Sequence, residues 1–213
     1  MARPTATTRK LDDFLREQLR TNLAKFEHRE DWSAELRQAA VAIVVTDDDE
    51  GDPGFLITRR PQKMRRHPGQ WALPGGRLDE GESLLEAGLR ELREEIGITL
   101  GPADVLGTLD VYETRSGFAI TPIVLWGGSN LEPVPDPSEV AELHHVPLSE
   151  LEKPEVPRFD TIPESDRPVI VLPIIGAEIN APTAAVLYQF VEVALRGKST
   201  RVSHFEQPVF AWK

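Results

Sequence analysis

The stretch from Gly76 to Ile98 constrains the fold more than any other part of the chain. At roughly 100° per residue, Leu85, Leu89, Leu92 and Ile96 fall on one face of a helix. A face of that kind has to be covered, so the helix is expected to lie on the body of a domain. Ser83 and Glu86 have the spacing of a capping box, and Gly97 suits the opposite end, which predicts a helix over 83–96. Glu91 and Glu95 are four apart and lie one above the other, with Glu94 beside them, so three carboxylates share a narrow arc away from the leucines.

Three solvated glutamates on one helix are ordinarily just an acidic surface. Unneutralised, however, like charges at this spacing destabilise a helix. A divalent cation such as Mg²⁺ or Mn²⁺ removes the conflict, because hard cations take oxygen ligands. Arg90 stands four before Glu94, placed to hold that carboxylate. Pro74-Gly75-Gly76 lets the backbone turn sharply just upstream and approach a cation closely.

Around this segment the pattern is that of one α/β domain. A helix is expected from Leu11 to Phe26, where Leu11, Phe14, Leu15, Leu19, Leu23 and Phe26 recur at helical spacing. Strands are expected at Ala39–Val45 and Gly54–Thr58 as a hairpin, then at Ile98–Leu100, Val105–Val111, Phe118–Trp126 and Val140–Val146. Loops are expected over 59–76, 131–138 and 152–167. Asn180 and Pro182 open a last helix through Leu195, closed by Gly197, and the tail 201–212 alternates like a strand. Residues 1–37 read as a helical extension and 38–213 as the main domain.

Composition removes several classes of function. The chain has 213 residues, 40% of them apolar and 28% charged, which suits a folded domain. No apolar run reaches the roughly 18 residues of a membrane span. Cysteine is absent, excluding disulfides, thiolate metal sites and a cysteine nucleophile. Met1–Lys10 has no apolar core of the secretory kind, so a cytoplasmic location is expected. The formal net charge of −11 argues against nucleic acid as a partner. Adjacent His144 and His145 point to opposite faces of a strand and do not suit one ion.

The spacing of the whole acidic segment goes further than its composition. Gly76, five residues, Glu82, seven residues, Arg90-Glu91-Leu92, one residue, Glu94-Glu95, one residue, then Gly97-Ile98 resembles the Nudix box at all nine defined positions. The resemblance implies an α/β/α sandwich around a mixed sheet, here with extra N- and C-terminal helices. It also implies hydrolysis of a nucleoside diphosphate linked to another moiety. Carried over, Glu91, Glu94 and Glu95 resemble the carboxylates that hold Mg²⁺ or Mn²⁺, helped by the carbonyl of Gly76. Arg90 and Glu82 resemble the residues that brace the loop–helix–loop. The resemblance implies that one of Glu91, Glu94 and Glu95, or a later-loop glutamate, is the base, with Glu91 and Glu94 the catalytic candidates. Glu139 is a candidate extra metal ligand or base.

Residues outside the box bear on substrate. Leu56-Ile57-Thr58-Arg59-Arg60, then Arg65, Gly69 and Leu73-Pro74-Gly75-Gly76, is similar to the motif of coenzyme A pyrophosphatases within that family. Pro61 stands where Ser or Ala is usual, and Leu73 replaces Phe. Arg59, Arg60, Lys63, Arg65 and Arg66 fall within eight residues of an otherwise acidic chain, as a polyphosphate ligand requires. Ser116-Gly117-Phe118 also resembles the turn and strand that line the cleft in that subfamily. Arg60, Arg65 and Gly69 are therefore expected to bind substrate, a small-molecule nucleotide. The expected reaction splits coenzyme A or acyl-coenzyme A into 3′,5′-ADP and (acyl) 4′-phosphopantetheine. The alternatives are ADP-ribose, NADH or another nucleotide as substrate, or a nucleotide-sensing module without turnover. No membrane partner is expected, and the reading leaves room for a homodimer.

Overall fold

The computed structural model of the chain describes residues 9–63 and 68–211. In chain order, α1 (Asp13–Lys25) precedes β1 (Arg37–Asp47), β2 (Pro53–Arg59), β3 (Trp71–Ala72), β4 (Gly75–Arg77) and α2 (Leu84–Ile96). Next come β5 (Val105–Thr108), β6 (Tyr112–Glu113), β7 (Phe118–Gly128) and β8 (Glu142–Pro147). The chain then forms β9 (Arg158–Ile162), β10 (Ser165–Ile174), β11 (Ala177–Asn180) and α3 (Thr183–Phe190), which runs on as a π turn, Val191–Leu195.

Strand β1 organises the main sheet. It runs parallel to β7 along nearly its whole length, from Arg37 opposite Phe118 to Thr46 opposite Gly128. Its other edge is shared: Val45–Asp47 pair with β2, and Ala39–Val41 pair with β4. Between them the N–H of Ala42 donates to the carbonyl of Pro74 at 2.8 Å, so the edge carries no unpaired gap there. A strand buried on both faces needs a continuous apolar run, and Ala39–Val45 supplies it.

The two faces of β1 lead into two cores. Ala40, Ala42 and Val44 face α2, with Ala87, Leu92 and Ile96. Ile43 and Val45 face the other way, toward Leu15, Leu19 and Leu23 of α1 and the apolar residues of α3. Each fully buried Val, Leu or Ile side chain among them stabilises the fold by about 1.5–3 kcal/mol. Gly88 lets α2 lie close: a Cβ there would stand 3.3 Å from Ile123 and 3.7 Å from Ala40. The outcome is the expected α/β/α sandwich on a mixed sheet, with helices at both ends. No helix among the described residues is long and apolar enough to cross a membrane.

Several expected elements differ. Phe14 is 79% exposed and leaves the apolar stripe of α1, which Leu15, Leu19 and Leu23 carry. Ile98–Leu100 forms no strand, because Ile98 closes the helix by donating to the carbonyl of Leu92. Strand β5 stops at Thr108, and Asp110 turns inward. The loop expected over 152–167 contains β9 and the start of β10, part of a three-stranded sheet in the order β11-β10-β9. Strand β9 is an edge strand with exposed side chains, so it shows no apolar period, and Pro168 sits where the β9–β10 register shifts. The tail makes one bridge, Glu206 to Val169, and then a 3₁₀ turn at Val209–Ala211, because Pro208 cannot extend a ladder.

Buried Asp110 ties three distant segments together. Its carboxylate accepts the N–H of Arg29 at 2.8 Å, the amide of Gln189 at 2.8 Å and the guanidinium of Arg201 at 2.5 Å. Replacing Asp110 by Ala removes the acceptor of the Arg29 N–H and of the Arg201 guanidinium, and one of the two acceptors of the buried Gln189 amide. We expect a loss of about 3 kcal/mol, read as a lower urea midpoint at an unchanged slope. A midpoint within error of wild type would show the cluster to be energetically idle.

Candidate active site

Helix α2 presents its carboxylates because both of its ends are fixed. Ser83 accepts the N–H of Glu86 while Glu86 reaches back to the N–H of Ser83, and Gly97 closes the far end at φ 70°. The preceding loop is then bolted to the helix by Arg90. Its guanidinium meets Glu82 through two bonds, at 2.9 and 3.0 Å, and donates to the carbonyl of Arg77 at 2.9 Å. The same group reaches Glu91 at 2.8 Å and Glu94 at 3.0 Å. These charge-assisted bonds raise the Arg90 pKa above its ordinary value, Glu82 being the largest cause, and lower that of Glu82.

The loop brings two glycines against the helix. At Gly76 a Cβ would lie 2.1 Å from Oε1 of Glu91, so that carboxylate occupies the space a side chain would need. Gly75 adopts φ 151°, and a Cβ there would meet the carbonyl of Ala40 at 2.2 Å. Its N–H donates to Glu95 at 3.1 Å. Gly75 therefore demands glycine, by its φ and by backbone contact, whereas a side chain at Gly76 would push the Glu91 carboxylate from its place.

Glu91, Glu95 and Glu139 each offer an oxygen within 4.8 Å of the others. Glu139 arrives from the loop after β7, which docks on the end of α2. The N–H of Val134 donates to the carbonyl of Ile96 at 2.8 Å, and that of Asp136 to the carbonyl of Glu95 at 2.9 Å. A turn closed by Glu139 and Val140 onto Asp136 then aims the glutamate. Glu94 is half exposed and held on Arg90, apart from these three.

Burial pushes the Glu95 carboxyl from 4.5 up to about 7. The N–H of Gly75 opposes the shift, Glu91 adds to it, Arg60 opposes and Glu139 adds. Burial likewise raises Glu91, against the pull of Arg90. Burial of Glu95 beside Glu91 favours a proton or a counter-charge between the two. Hard oxygen donors in a cluster fit Mg²⁺ or Mn²⁺, so the residues present suit such a cation.

A cleft of about 540 Å³ adjoins this cluster. Gly75, Gly76 and Arg77 line it, as do Arg60 and Gly69 of the basic loop, Trp71 of β3, Ser116 of the turn before β7 and Phe118 of β7. Arg60 stands 3.9 Å from Glu95. Arg59 is turned away onto Glu142 at 2.8 Å and onto the carbonyl of Gly69 at 3.3 Å. Arg65 lies outside the described residues. His144 pairs with Glu142 and stands edge-on to Trp71, while His145 faces the carbonyl of Thr46, so the two do not meet at one ion. Sequence reasoning missed the wall formed by residues 178–186 and 207–211. These positions carry no motif that could have placed them there.

A family model described as the NUDIX domain matches residues 36–165. The uncharacterized Nudix hydrolase NudL of Citrobacter koseri is 41% identical over 115 residues, covering 54% of this chain and 59% of the relative. NudL of Yersinia enterocolitica is 41% identical over 120 residues, covering 56% and 60%. The chain thus spans less than two thirds of the length of these curated relatives. A solved MutT/nudix family protein from Enterococcus faecalis superposes with a TM-score of 0.52 at 13% identity, covering 80% of this chain and 66% of that one. At that identity the likeness is one of fold.

The raised Glu95 has a thermodynamic consequence for the metal-free protein. An unfolded glutamate titrates near 4.5, so between that pH and about 7 the native chain binds more protons and stability falls as pH rises. At pH 8 in EDTA, Glu95→Gln should therefore melt higher than wild type, by roughly 2 kcal/mol of stability. Calorimetry at pH 4 and pH 8 checks the sign. An equal or lower melting temperature for the variant at pH 8 would mean that Glu95 is not a strained carboxylate.

Proposed function

The chain belongs to the Nudix family, and on that premise we propose that it hydrolyses the diphosphate bond of a nucleoside diphosphate derivative, coenzyme A or an acyl-coenzyme A. The observation that carries this reading is the convergence of Glu91, Glu95 and Glu139 beside Gly76, at the edge of a cleft that Arg60 and Arg77 also line. Acidic oxygens next to cations are what a phosphoanhydride needs.

In this reading Glu91 and Glu95, with the carbonyl of Gly76, hold Mg²⁺ or Mn²⁺, in keeping with a family that generally uses divalent cations. Glu139 joins them or stays free as the base. A bound cation supplies charge neutralisation at the phosphoryl oxygens and makes water acidic enough to lose a proton near neutral pH. The chain does the rest. Arg60 and Arg77 draw the diphosphate oxygens into the cleft. Arg90 holds the loop against the helix, so the carboxylates keep their places as charge develops. Glu139, at the edge of the cluster, takes one proton from the attacking water. Oxygen bonds to one phosphorus, the P–O–P bridge breaks, and 3′,5′-ADP leaves together with (acyl) 4′-phosphopantetheine.

One observation favours a second reading, with ADP-ribose or NADH as substrate. Coenzyme A carries a third phosphate, yet the described cations of the cleft wall are Arg60 and Arg77 alone, with Arg59 spent on Glu142. A panel of coenzyme A, acyl-coenzyme A, ADP-ribose and NADH separates the two. Arg60→Ala should raise KM on the true substrate more than it lowers kcat, as expected for a charge that binds ground state and transition state alike. A better kcat/KM for ADP-ribose or NADH than for coenzyme A would leave only the family's general chemistry standing.

The metal reading makes a sharper demand. Glu95→Gln should cost at least about 10²-fold in rate while the fold is kept. Excess EDTA should abolish turnover by wild type, and added Mg²⁺ or Mn²⁺ should restore it. Undiminished hydrolysis in EDTA, or a fully active folded variant, would contradict the assignment.

A further inference from the structure

The cleft has a wall that lies beyond the matched family segment of residues 36–165. Ala181, Pro182 and Val186 contribute to it from the corner between β11 and α3, and Phe210 and Ala211 from the final turn. The charged residue it adds, Glu178, is already paired with Arg158 at 2.8 Å. The described cations of the cleft, Arg60 and Arg77, belong to the side that carries the carboxylates. Phe210 is 57% exposed, a large ring left open where the cleft needs a surface.

This wall is built rather than draped. Tyr112 donates to the carbonyl of Phe205 at 3.1 Å, and Arg167 to the carbonyls of His204 at 3.0 Å and Phe205 at 2.6 Å. Glu206 is 1% exposed and bonds Arg115 at 2.5 Å, while Gln207 reaches the carbonyl of Glu113 at 3.4 Å. On the other side, Thr183 donates to the carbonyl of Trp71 at 3.5 Å, tying the start of α3 to β3. The segment 204–207 is thus clamped to β6 and β10, three residues before Phe210.

We infer that the C-terminal wall is a subsite for an uncharged, apolar group of the substrate, with Phe210 as its principal contact. Among the described residues this wall adds no cation to the cleft for a phosphate, whereas an acyl chain or a flat heterocycle gains by leaving water against Ala181, Pro182, Val186 and Phe210. The cleft volume suits one such group beside a diphosphate. The inference rests on the cleft being the substrate site of the reading above, and it names the part of the substrate that the family segment leaves unrecognised.

Wild type, Phe210→Ala and Phe210→Trp are compared in two assays. The first is hydrolysis of coenzyme A against its octanoyl thioester, and of ADP-ribose against NADH, each pair differing by an apolar or flat uncharged group. The second is calorimetric titration with S-octanoyl pantetheine and with 1,4-dihydronicotinamide riboside, fragments that carry the differing group of each pair and lack the diphosphate. Phe210→Ala should raise KM about tenfold for the larger member of one pair, with less effect on kcat and on the smaller member, and Phe210→Trp should restore it. The pair affected tells an acyl tail from a heterocycle, and the matching fragment should lose affinity in step. Unchanged preference within both pairs, with turnover intact, overturns the subsite and leaves the diphosphate reading in place. Fragment binding that depends on Phe210, with none of the four compounds hydrolysed, keeps the subsite and removes the diphosphate reading. Neither binding nor hydrolysis overturns both.

Discussion

The guanidinium of Arg90 is the joint on which the site depends. One planar group grips Glu82 in the loop, the carbonyl of Arg77 in β4, and Glu91 and Glu94 on the helix. A lysine offers donors from a single nitrogen and could not serve these partners in the same plane. Because the joint is largely buried, its bonds are short and weakly screened. The glycines can approach the helix only because the loop is held there, and the cleft takes its floor from those glycines.

Against this joint stands a deliberate conflict. Glu95 is buried and faces two more carboxylates, which costs the metal-free protein stability at neutral pH. A helix designed only to fold would place leucine or alanine there. The strain is kept local, since the apolar side of α2 and both of its caps follow ordinary rules. Stability is recovered elsewhere, in clusters such as Asp110 with Gln189 and Arg201, which join the two ends of the chain to the sheet.

How much of this could be read in the sequence follows from how local each signal is. Helix α2 was legible to its caps, because Ser83, Glu86 and Gly97 act on residues within a turn of themselves. Strands β1, β2 and β7 were legible because their burial leaves a continuous apolar run. The meander of β9 to β11 was not, since an edge strand exposes both faces and its prolines imitate loop chemistry. The place of Glu139 beside Glu91 depends on two backbone bonds to the end of α2, and no residue type signals those. The box itself reads Glu94 and Glu95 as equals, while the fold buries one and gives the other to Arg90.

The divided edge of β1 has a consequence for how such a chain can change. Strand β2 holds one end of that edge and β4 the other, and the basic loop leaves from β2 and returns into β3 as the tip of the hairpin those two strands form. Residues can be added to or removed from that loop without shifting the register of any main-sheet strand. The entropic cost of lengthening is small, about 0.6 kcal/mol for each doubling. Ligand preference on that side can therefore drift through insertions while the carboxylate helix stays where it is. The scaffold separates what must be conserved from what is free to vary, and it does so along a single strand.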